Sequence, residues 1–314
     1  DQAYDQGGNG LGKTINATNG AVRINGEDGF LVTGEVFYGN SIDTEITGIG
    51  TRMFFNPNKS AFRAGSVFDL SPFLPSDQWD DTNIGYYSTA FGTNTLASGS
   101  TSTTFGSFTT ASGNVSTAFG SITTASGNNS TAFGYNSIAS GNHSIAFGYE
   151  TIASETITTA FGSFTSALGA YSTVFGFQSS ASGVSATAFG RGTVAPSFSE
   201  IAIGLFNSDY TPVSTSVFNP LDRIFVVGNG NNASARNDAF TIYKSGLVSI
   251  DNSLGIGTNS PTADLSVNGI ANKSGGGTWA VFSDQRLKEN INDYREGLDF
   301  ILKVRYVFFE RSLR

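Results

Sequence analysis

The chain has 314 residues, with 39 glycines, no cysteine and only 13% charged residues. The lack of cysteine excludes a disulfide framework and thiolate chemistry, and a single histidine excludes the usual multi-histidine metal cage. A formal net charge of -8 argues against binding to a nucleic-acid backbone, and no apolar run approaches the roughly 18 residues needed to span a bilayer.

Residues 1–82 are predicted to form a β-rich N-terminal region, because short alternating apolar runs are broken by glycine and asparagine. The segment from Gly7 to Thr14 fits the phosphate-binding pattern G-x-x-x-x-G-K-[ST]. Since that pattern works only between a buried strand and a helix, and neither is predicted here, we expect no nucleotide and no other cofactor. Phe62 and Trp79 are expected to cover the end of the structure that follows.

A strict 14-residue repeat fills residues 83–206. Each unit reads Ser-Thr-Ala-Phe-Gly and then Ser-x-Thr-x-Ala-Ser-Gly-Asn-x, which is two short alternating runs, each closed by glycine. Fourteen residues are too few for a pair of helices. The repeat therefore predicts a parallel β-solenoid, in which each unit is one coil and equivalent residues stack about 4.8 Å apart. The recurring alanines, from Ala97 to Ala195, are predicted to fill the lumen.

One phenylalanine recurs in every unit and is always followed by glycine. A 14-residue coil is too narrow to hold such a ring at each level, so we predict that the rings project from one outer face. Leaving eight phenylalanine side chains exposed would forfeit roughly 12–24 kcal/mol of favourable burial free energy. A closed assembly of identical chains around one axis would bury these side chains. The alternative is a wider single-chain lumen that holds the rings. The predicted interface residues are Phe91, Phe105, Phe119, Phe133, Phe147, Phe161, Phe175 and Phe189.

The unit Ser-Thr-Ala-Phe-Gly-x-x-x-x-Ala-Ser-Gly resembles the head repeat of trimeric autotransporter adhesins of the YadA type, over about residues 84–204. The resemblance implies an all-β fold, a left-handed parallel β-roll that assembles as a homotrimer. It also implies an extracellular place on the bacterial cell surface and an adhesive role. This chain has phenylalanine where that family more often has an aliphatic residue, and it departs from Ala-Ser-Gly at Glu155, Leu168 and Pro196.

The repeats carry very little charge. Glu150 and Glu155 are the only charged residues between Phe91 and Gly190. They could form a carboxylate pair, but on a stacked coil they are expected to aid solubility and to oppose lateral aggregation. His143 is expected to be an exposed coil residue and not a catalyst.

A column of threonines offers a different interpretation of the repeat. Thr109, Thr123 and Thr165 recur at the same place in their units, and Ser137 and Ser179 interrupt the column. If these hydroxyl groups faced outward, the regular array could match an ice lattice, and the rod would be an ice-binding solenoid.

Residues 207–282 are predicted to be a β-rich connector, and residues 283–314 carry a helical pattern. The run from Ser283 to Ile291 resembles the start of the intramolecular chaperone domain classed as peptidase family S74, which is found at the C-termini of phage and bacterial fibres. The resemblance implies that Ser283 and Lys288 form a dyad, in which the lysine deprotonates the serine hydroxyl and the chain cuts itself once between Phe282 and Ser283. An ordinary amphipathic helix is the alternative.

These features together predict a structural and adhesive trimeric extracellular fibre. Its partners would be further copies of itself and a surface or glycan receptor. The alternative function is a tail fibre of a phage or of a contractile injection system, which would place the chain on a virion tail. No paired acids in a cleft, triad or metal cluster is visible, so we expect no enzyme acting on an external substrate.

Overall fold

The computed structural model describes residues 48–69 and 76–269. The chain divides into two units, one ending at Leu254 and the other beginning at Gly255. Within the described ranges the only helical elements are two short 3-10 turns, Pro57–Lys59 and Asp81–Asn83, and no helix there could cross a membrane. The segment from Gly7 to Thr14, the proposed dyad of Ser283 and Lys288 and the predicted C-terminal helix lie outside the described residues.

Two sheets run along the first unit, one of fourteen strands and one of eight. Strands are numbered in chain order. The larger sheet contains β1 (Gly50–Asn56), β2 (Ala61–Val67), β3 (Thr89–Thr93), β5 (Thr103–Ser107), β7 (Thr117–Ser121), β9 (Thr131–Tyr135), β11 (Ile145–Tyr149), β13 (Thr159–Ser163), β15 (Thr173–Phe177), β17 (Thr187–Arg191), β19 (Ile201–Leu205), β20 (Arg223–Asn229), β21 (Asp238–Tyr243) and β22 (Val248–Ile250). The smaller sheet contains β4 (Leu96–Ala97), β6 (Thr110–Ala111), β8 (Thr124–Ala125), β10 (Ile138–Ala139), β12 (Ile152–Ala153), β14 (Ser166–Ala167), β16 (Ser180–Ala181) and β18 (Val194–Ala195).

Successive coils stack in parallel and without any shift in register. Phe133 pairs with Phe147 and Gly134 with Gly148 in the larger sheet, and the equivalent residues of the other coils pair in the same way. The predicted parallel β-solenoid of 14-residue coils is therefore confirmed. Each coil contributes one five-residue strand to the larger sheet and one two-residue strand to the smaller sheet.

Small side chains fill the lumen between the two sheets. The alanine columns that contain Ala132 and Ala139 are fully buried, and Val174 is the largest residue in the first of them. Serine and threonine complete the interior. In several coils the serine hydroxyl donates to the backbone of its own turn, as from Ser130 Oγ to the Gly127 carbonyl at 2.6 Å. So narrow a lumen has no space for a ring at every level.

The threonine column lies inside this lumen, because Thr109, Thr123 and Thr165 are all fully buried. The ice-binding interpretation, which required these hydroxyls to face outward, is wrong for this column. The reason is local: Thr109 directly follows Phe108, whose φ of 55° is left-handed and turns the chain at that point. In a strand, successive side chains alternate between the inside and the outside, but a left-handed turn interrupts that alternation.

The glycine after each phenylalanine is required by the stacking of the coils. Gly134 has φ 115°, and a Cβ there would lie 1.9 Å from the carbonyl oxygen of Gly148 in the next coil. Other residues rarely adopt this backbone conformation, and none could avoid that oxygen.

The N-terminal end of the solenoid is closed by a hairpin and by large side chains. β2 pairs with β1 in antiparallel fashion and with β3 in parallel, and its Arg63 is fully buried. The Arg63 guanidinium donates to Ser88 Oγ at 2.8 Å and to the Ala97 carbonyl at 3.0 Å. Burial lowers the pKa of Arg63 to about 10. The Trp79 indole is also buried and donates to the Thr95 carbonyl at 2.9 Å, so the predicted covering role of Trp79 agrees with its position.

The C-terminal end is closed by an ion-pair cluster under the antiparallel strands β20, β21 and β22. Glu200 is fully buried at a position that serine occupies in most coils, and its Oε1 accepts from Arg223 Nε at 2.9 Å. Arg223 also pairs with Asp238 at 3.1 Å and lies 4.1 Å from the centre of the Tyr210 ring. Burial raises the pKa of Glu200, although the charge of Arg223 opposes that effect.

At each end of the solenoid an asparagine side chain bridges two backbone segments. At one end, Asn94 Oδ1 accepts from the Phe68 N–H at 2.7 Å and Asn94 Nδ2 donates to the Phe68 carbonyl at 3.2 Å. At the other end, Asn207 Oδ1 accepts from the Val194 N–H at 2.8 Å and Asn207 Nδ2 donates to the Val194 carbonyl at 2.9 Å. Each side-chain amide takes the place of a neighbouring peptide group.

Past the solenoid, β23 (Leu254–Ile256) and β24 (Leu265–Val267) form a separate two-stranded sheet. The Asn268 N–H donates to the Ile256 carbonyl at 2.8 Å.

Candidate functional site: an aromatic ladder on the larger sheet

The phenylalanine column lies on the outside of the coil. On each five-residue strand of the repeat the second residue is buried and the third faces outward, as Ala146 and Phe147 do on β11. The exposed fraction of the ring residues ranges from 37% at Phe147 to 59% at Phe189, and Phe133 is half-buried. The alternative in which the rings fill the lumen is therefore wrong. We call this column, from Phe91 to Phe189, the aromatic ladder.

The rings of the ladder stack on one another because the strands are parallel and in register. Ring centres are 4.5 Å apart between Phe133 and Phe147 and 5.0 Å apart between Phe105 and Phe119, with the planes within 8° of parallel. Towards the ends the rings tilt, reaching 42° between Phe175 and Phe189. Stacking covers the ring faces and leaves the ring edges towards solvent, so the ladder remains a continuous apolar strip along the rod.

Uncharged residues flank the ladder on the same strands, except beside Phe189, where Arg191 follows. Thr131 lies on one side of Phe133 and Tyr135 on the other, and most other coils place threonine and a serine or aromatic residue there. Between Phe91 and Gly190 only Glu150 and Glu155 carry charge. This face can therefore be covered by another surface with almost no cost from burying charge.

A second group of exposed aromatic residues, not predicted from the repeat, lies beside the ladder. The rings of Tyr135 and Tyr149 stack at 5.1 Å, and Tyr149 meets Phe164 edge-on at 5.2 Å. Phe164 contacts Phe177 at 5.9 Å, and the Arg191 guanidinium lies 5.5 Å from the Phe177 ring. The sequence does contain a signal for this group: the residue two positions after each ladder phenylalanine is aromatic in three coils.

The other residues that the sequence singled out lie apart from one another. His143 is exposed at a turn, as expected. Glu150 follows β11 at one edge of the sheet, and its hydrogen bond and charge raise the pKa of Tyr149. Glu155 is exposed and occupies the glycine position of Ala-Ser-Gly. Within residues 48–69 and 76–269 no three potential metal ligands lie together. Phe282, Ser283 and Lys288 lie outside these ranges.

Comparison with known families gives a match over this same region. Residues 84–109, 111–137, 125–151, 139–165, 153–179 and 167–193 match the YadA head domain repeat, each match covering two copies. No curated protein matches the chain. The aromatic ladder thus lies on YadA head repeats, which occupy residues 84–193.

Proposed function

We propose that this chain is the subunit of a homotrimeric, adhesive fibre that acts outside the cell, on a bacterial surface. The observation that supports this most directly is the aromatic ladder: eight rings on the outer face of YadA head repeats, seven of them exposed in the single chain. Three left-handed β-rolls with their ladders turned towards one axis would bury that strip. Burial of the ladder would supply most of the free energy of assembly.

The width of the larger sheet favours three chains over four. A five-residue strand with its flanking turns spans about 17–20 Å, so three such sheets set as a triangle place the axis roughly 5–6 Å from each backbone. That is about the reach of a phenylalanine ring. Four sheets set as a square would place the axis roughly 8–10 Å away and leave an empty channel.

The faces that the trimer leaves outward would contact the receptor. Just after the strands of the smaller sheet, Ser112, Ser126 and Ser140 are exposed, and the turns beside them expose Asn114 and Asn128. Stacked hydroxyl and amide groups at a repeat of about 4.8 Å provide many weak hydrogen-bonding groups for a glycan or a polar surface.

The test is the mass of the purified chain by light scattering after gel filtration. The wild type is expected to give three chain masses, while the variant Phe133→Ser with Phe147→Ser should give one and keep its β-type circular dichroism. The matched control, Val213→Ser with Val217→Ser, removes two exposed apolar side chains from the loop between β19 and β20 and should remain trimeric. A monomeric wild type would refute the proposal.

We also infer that an intramolecular chaperone begins at Ser283 and assists trimer formation, with one self-cleavage between Phe282 and Ser283. The support is the resemblance of the run from Ser283 to Ile291 to the S74 domain. Intact mass would show loss of the C-terminal segment from the wild type and its retention in Ser283→Ala and Lys288→Ala. Cleavage that persists in both variants would contradict the dyad.

The same resemblance favours a second candidate function, a tail fibre of a phage or contractile injection system. Baseplate genes beside the coding sequence would favour that function over a cell-surface adhesin.

A further inference from the structure

Each coil bends twice at a residue in the left-handed backbone region, once on either side of its strand in the larger sheet. The residue two positions before the strand belongs to what we call the leading column, and the residue just after the strand to the trailing column. In the coil of β11 these are His143 (φ 58°) and Glu150 (φ 51°). Their N–H groups donate to the preceding coil, to the Asn128 and Tyr135 carbonyls, both at 2.8 Å. The backbone of both turns is thus used in stacking, and the leading residue exposes its side chain.

The two columns carry matching chemistry at the same level in the four central coils. An apolar residue in one column accompanies an apolar residue in the other, amide accompanies amide, and the one histidine of the chain accompanies an acid. The end coils do not follow this pattern: Thr101 accompanies Phe108, for example. The four matched levels are Val115 with Ile122, Asn129 with Asn136, His143 with Glu150, and Ile157 with Phe164.

Contact within one chain does not account for this match. The whole of β11 lies between His143 and Glu150, so the two turns are at opposite edges of the larger sheet. Five extended residues separate them by about 16 Å, which is beyond the reach of either side chain.

We propose that the trailing column of one protomer packs against the leading column of the next protomer, level with level, around the trimer axis. The inference rests on the proposed function. In a trimer with the ladders turned inward, one edge of the larger sheet of each protomer lies beside the opposite edge of the larger sheet of the next protomer. Ile122 then contacts Val115 of a neighbouring copy, and Glu150 faces His143 of a neighbouring copy. Contacts of this head-to-tail kind close into a ring only if there is no axial shift between copies.

A shift by one coil would lose the complementarity. Ile122 would then face Asn129, and the Glu150 carboxylate would face Ile157, which would desolvate a charge against an apolar side chain. A shifted contact would also generate an open helical filament rather than a closed trimer. The chemistry of the columns therefore selects both the register and the closure of the assembly.

The shapes of the two edges agree with this packing. Shallow pockets lie beside the trailing column: one of about 330 Å³ is lined by Phe108 and Ile122, and one of about 260 Å³ by Glu150 and Phe164. The leading column projects, with Val115 55% exposed and Ile157 50% exposed. A ridge on one copy thus meets a groove on the next.

Disulfide trapping tests the register, and the chain is suited to it because it has no cysteine of its own. The double variant Asn129→Cys with Asn136→Cys is expected to give a covalent trimer on a non-reducing gel after mild oxidation. The matched control, Asn129→Cys with Ile122→Cys, pairs positions that meet only after a shift of one coil, and it should stay uncrosslinked. The single variant Asn129→Cys should also stay uncrosslinked.

The outcomes separate this inference from the proposed trimer. Three chain masses in solution with no covalent trimer from the level pair, or with efficient crosslinking of the shifted pair, would overturn the proposed packing and leave the trimer standing. A wild type with the mass of a single chain would overturn both the proposed packing and the proposed trimer. As a second measurement, Glu150→Lys should raise the concentration at which the trimer half-dissociates, and adding His143→Glu to it should restore the wild-type value. Equal values for the single and double variants would contradict the His143–Glu150 contact.

Discussion

At the level of single residues, the glycines after the ladder phenylalanines show most directly why the repeat is so strict. Gly134 cannot carry a side chain, because a Cβ would overlap the Gly148 carbonyl, and its own carbonyl imposes the same limit on Gly120. Each coil thereby constrains its neighbour. Because this contact recurs between successive coils, the glycines must recur at a constant interval of 14 residues in the sequence.

Replacing Gly134 with alanine should therefore destabilise the solenoid strongly. We expect a loss of about 3 kcal/mol or more in the free energy of unfolding, from backbone strain and from displacement of the next coil. The matched control is Gly246→Ala, which also has positive φ (87°) but has no atom within 4 Å of the added Cβ. Urea denaturation followed by circular dichroism measures both. Equal losses would show that φ alone, and not the stacking, is responsible.

The buried Glu200–Arg223 pair predicts a pH-dependent effect. Burial already raises the pKa of Glu200, and Arg223→Met removes the charge that opposes this effect. A raised pKa in the folded state means that stability is present at low pH and is lost as the pH rises through that pKa. The variant should lose about 3–5 kcal/mol at pH 7.5 and clearly less at pH 4.

Denaturation at the two pH values checks this, and Arg223→Met with Glu200→Gln serves as the control. The double variant has no carboxyl at that position and should show a smaller difference between the two pH values. A loss that is the same at both pH values in Arg223→Met would mean that Glu200 is not the group responsible.

At the level of strands, the coil separates a lumen for small side chains from an outer face for large ones. Ala132 and Thr131 are neighbours on β9, the first buried and the second half-exposed. Ala132→Leu should therefore cost about 1–3 kcal/mol or more through overpacking, while Thr131→Leu should change the free energy of unfolding little. Thermal unfolding of the two variants distinguishes these outcomes. A tolerated leucine at position 132 would mean that the lumen is wider than described.

Asparagine side chains connect neighbouring coils along one exposed edge. The Asn114 N–H donates to Asn128 Oδ1 at 3.0 Å, and the Asn128 N–H donates to Asn142 Oδ1 at 3.0 Å. Asn128→Ala should speed hydrogen exchange at the Asn114 amide, because its acceptor is removed, and leave the amide of Asn128 protected. Exchange measured by NMR at both amides tests this. The control is Asn114→Ala, which removes the acceptor of the Ser100 N–H and should leave the amide at position 114 protected.

The strands were largely predictable because the 14-residue period carries the information. The recurrence of phenylalanine, glycine and alanine was enough for the parallel solenoid and for the outward ladder. The side of the coil on which Thr109 and its equivalents lie was not predictable by alternation, because the left-handed residue before each of them changes the phase. The covering role of Trp79 was predictable, but the contacts of Asn94, Glu200 and Asn207 were not, because only the neighbouring strands give these side chains their partners.

At the level of the whole molecule, the solenoid is nearly one-dimensional, since each coil contacts only the coils beside it. Deleting residues 121–134 removes one full coil and joins Gly120 to Tyr135, which restores the repeat. This variant should fold with a melting temperature within a few degrees of the wild type. Deleting residues 121–127, half a coil, should place outward residues in the lumen and abolish cooperative unfolding. Calorimetry measures the melting temperature and the cooperativity of unfolding for both deletions. The same unfolding transition in both would contradict coil-by-coil stacking.

The side chains that cover the two ends of the smaller sheet have a consequence beyond stability. Asn207 satisfies the Val194 peptide group at one end, and Trp79 and Arg63 donate to the Thr95 and Ala97 carbonyls at the other, so these groups are not free to recruit a strand from another molecule. With those positions taken, a strand from another molecule cannot extend the smaller sheet. We therefore expect this sheet not to seed fibrils when the protein is concentrated.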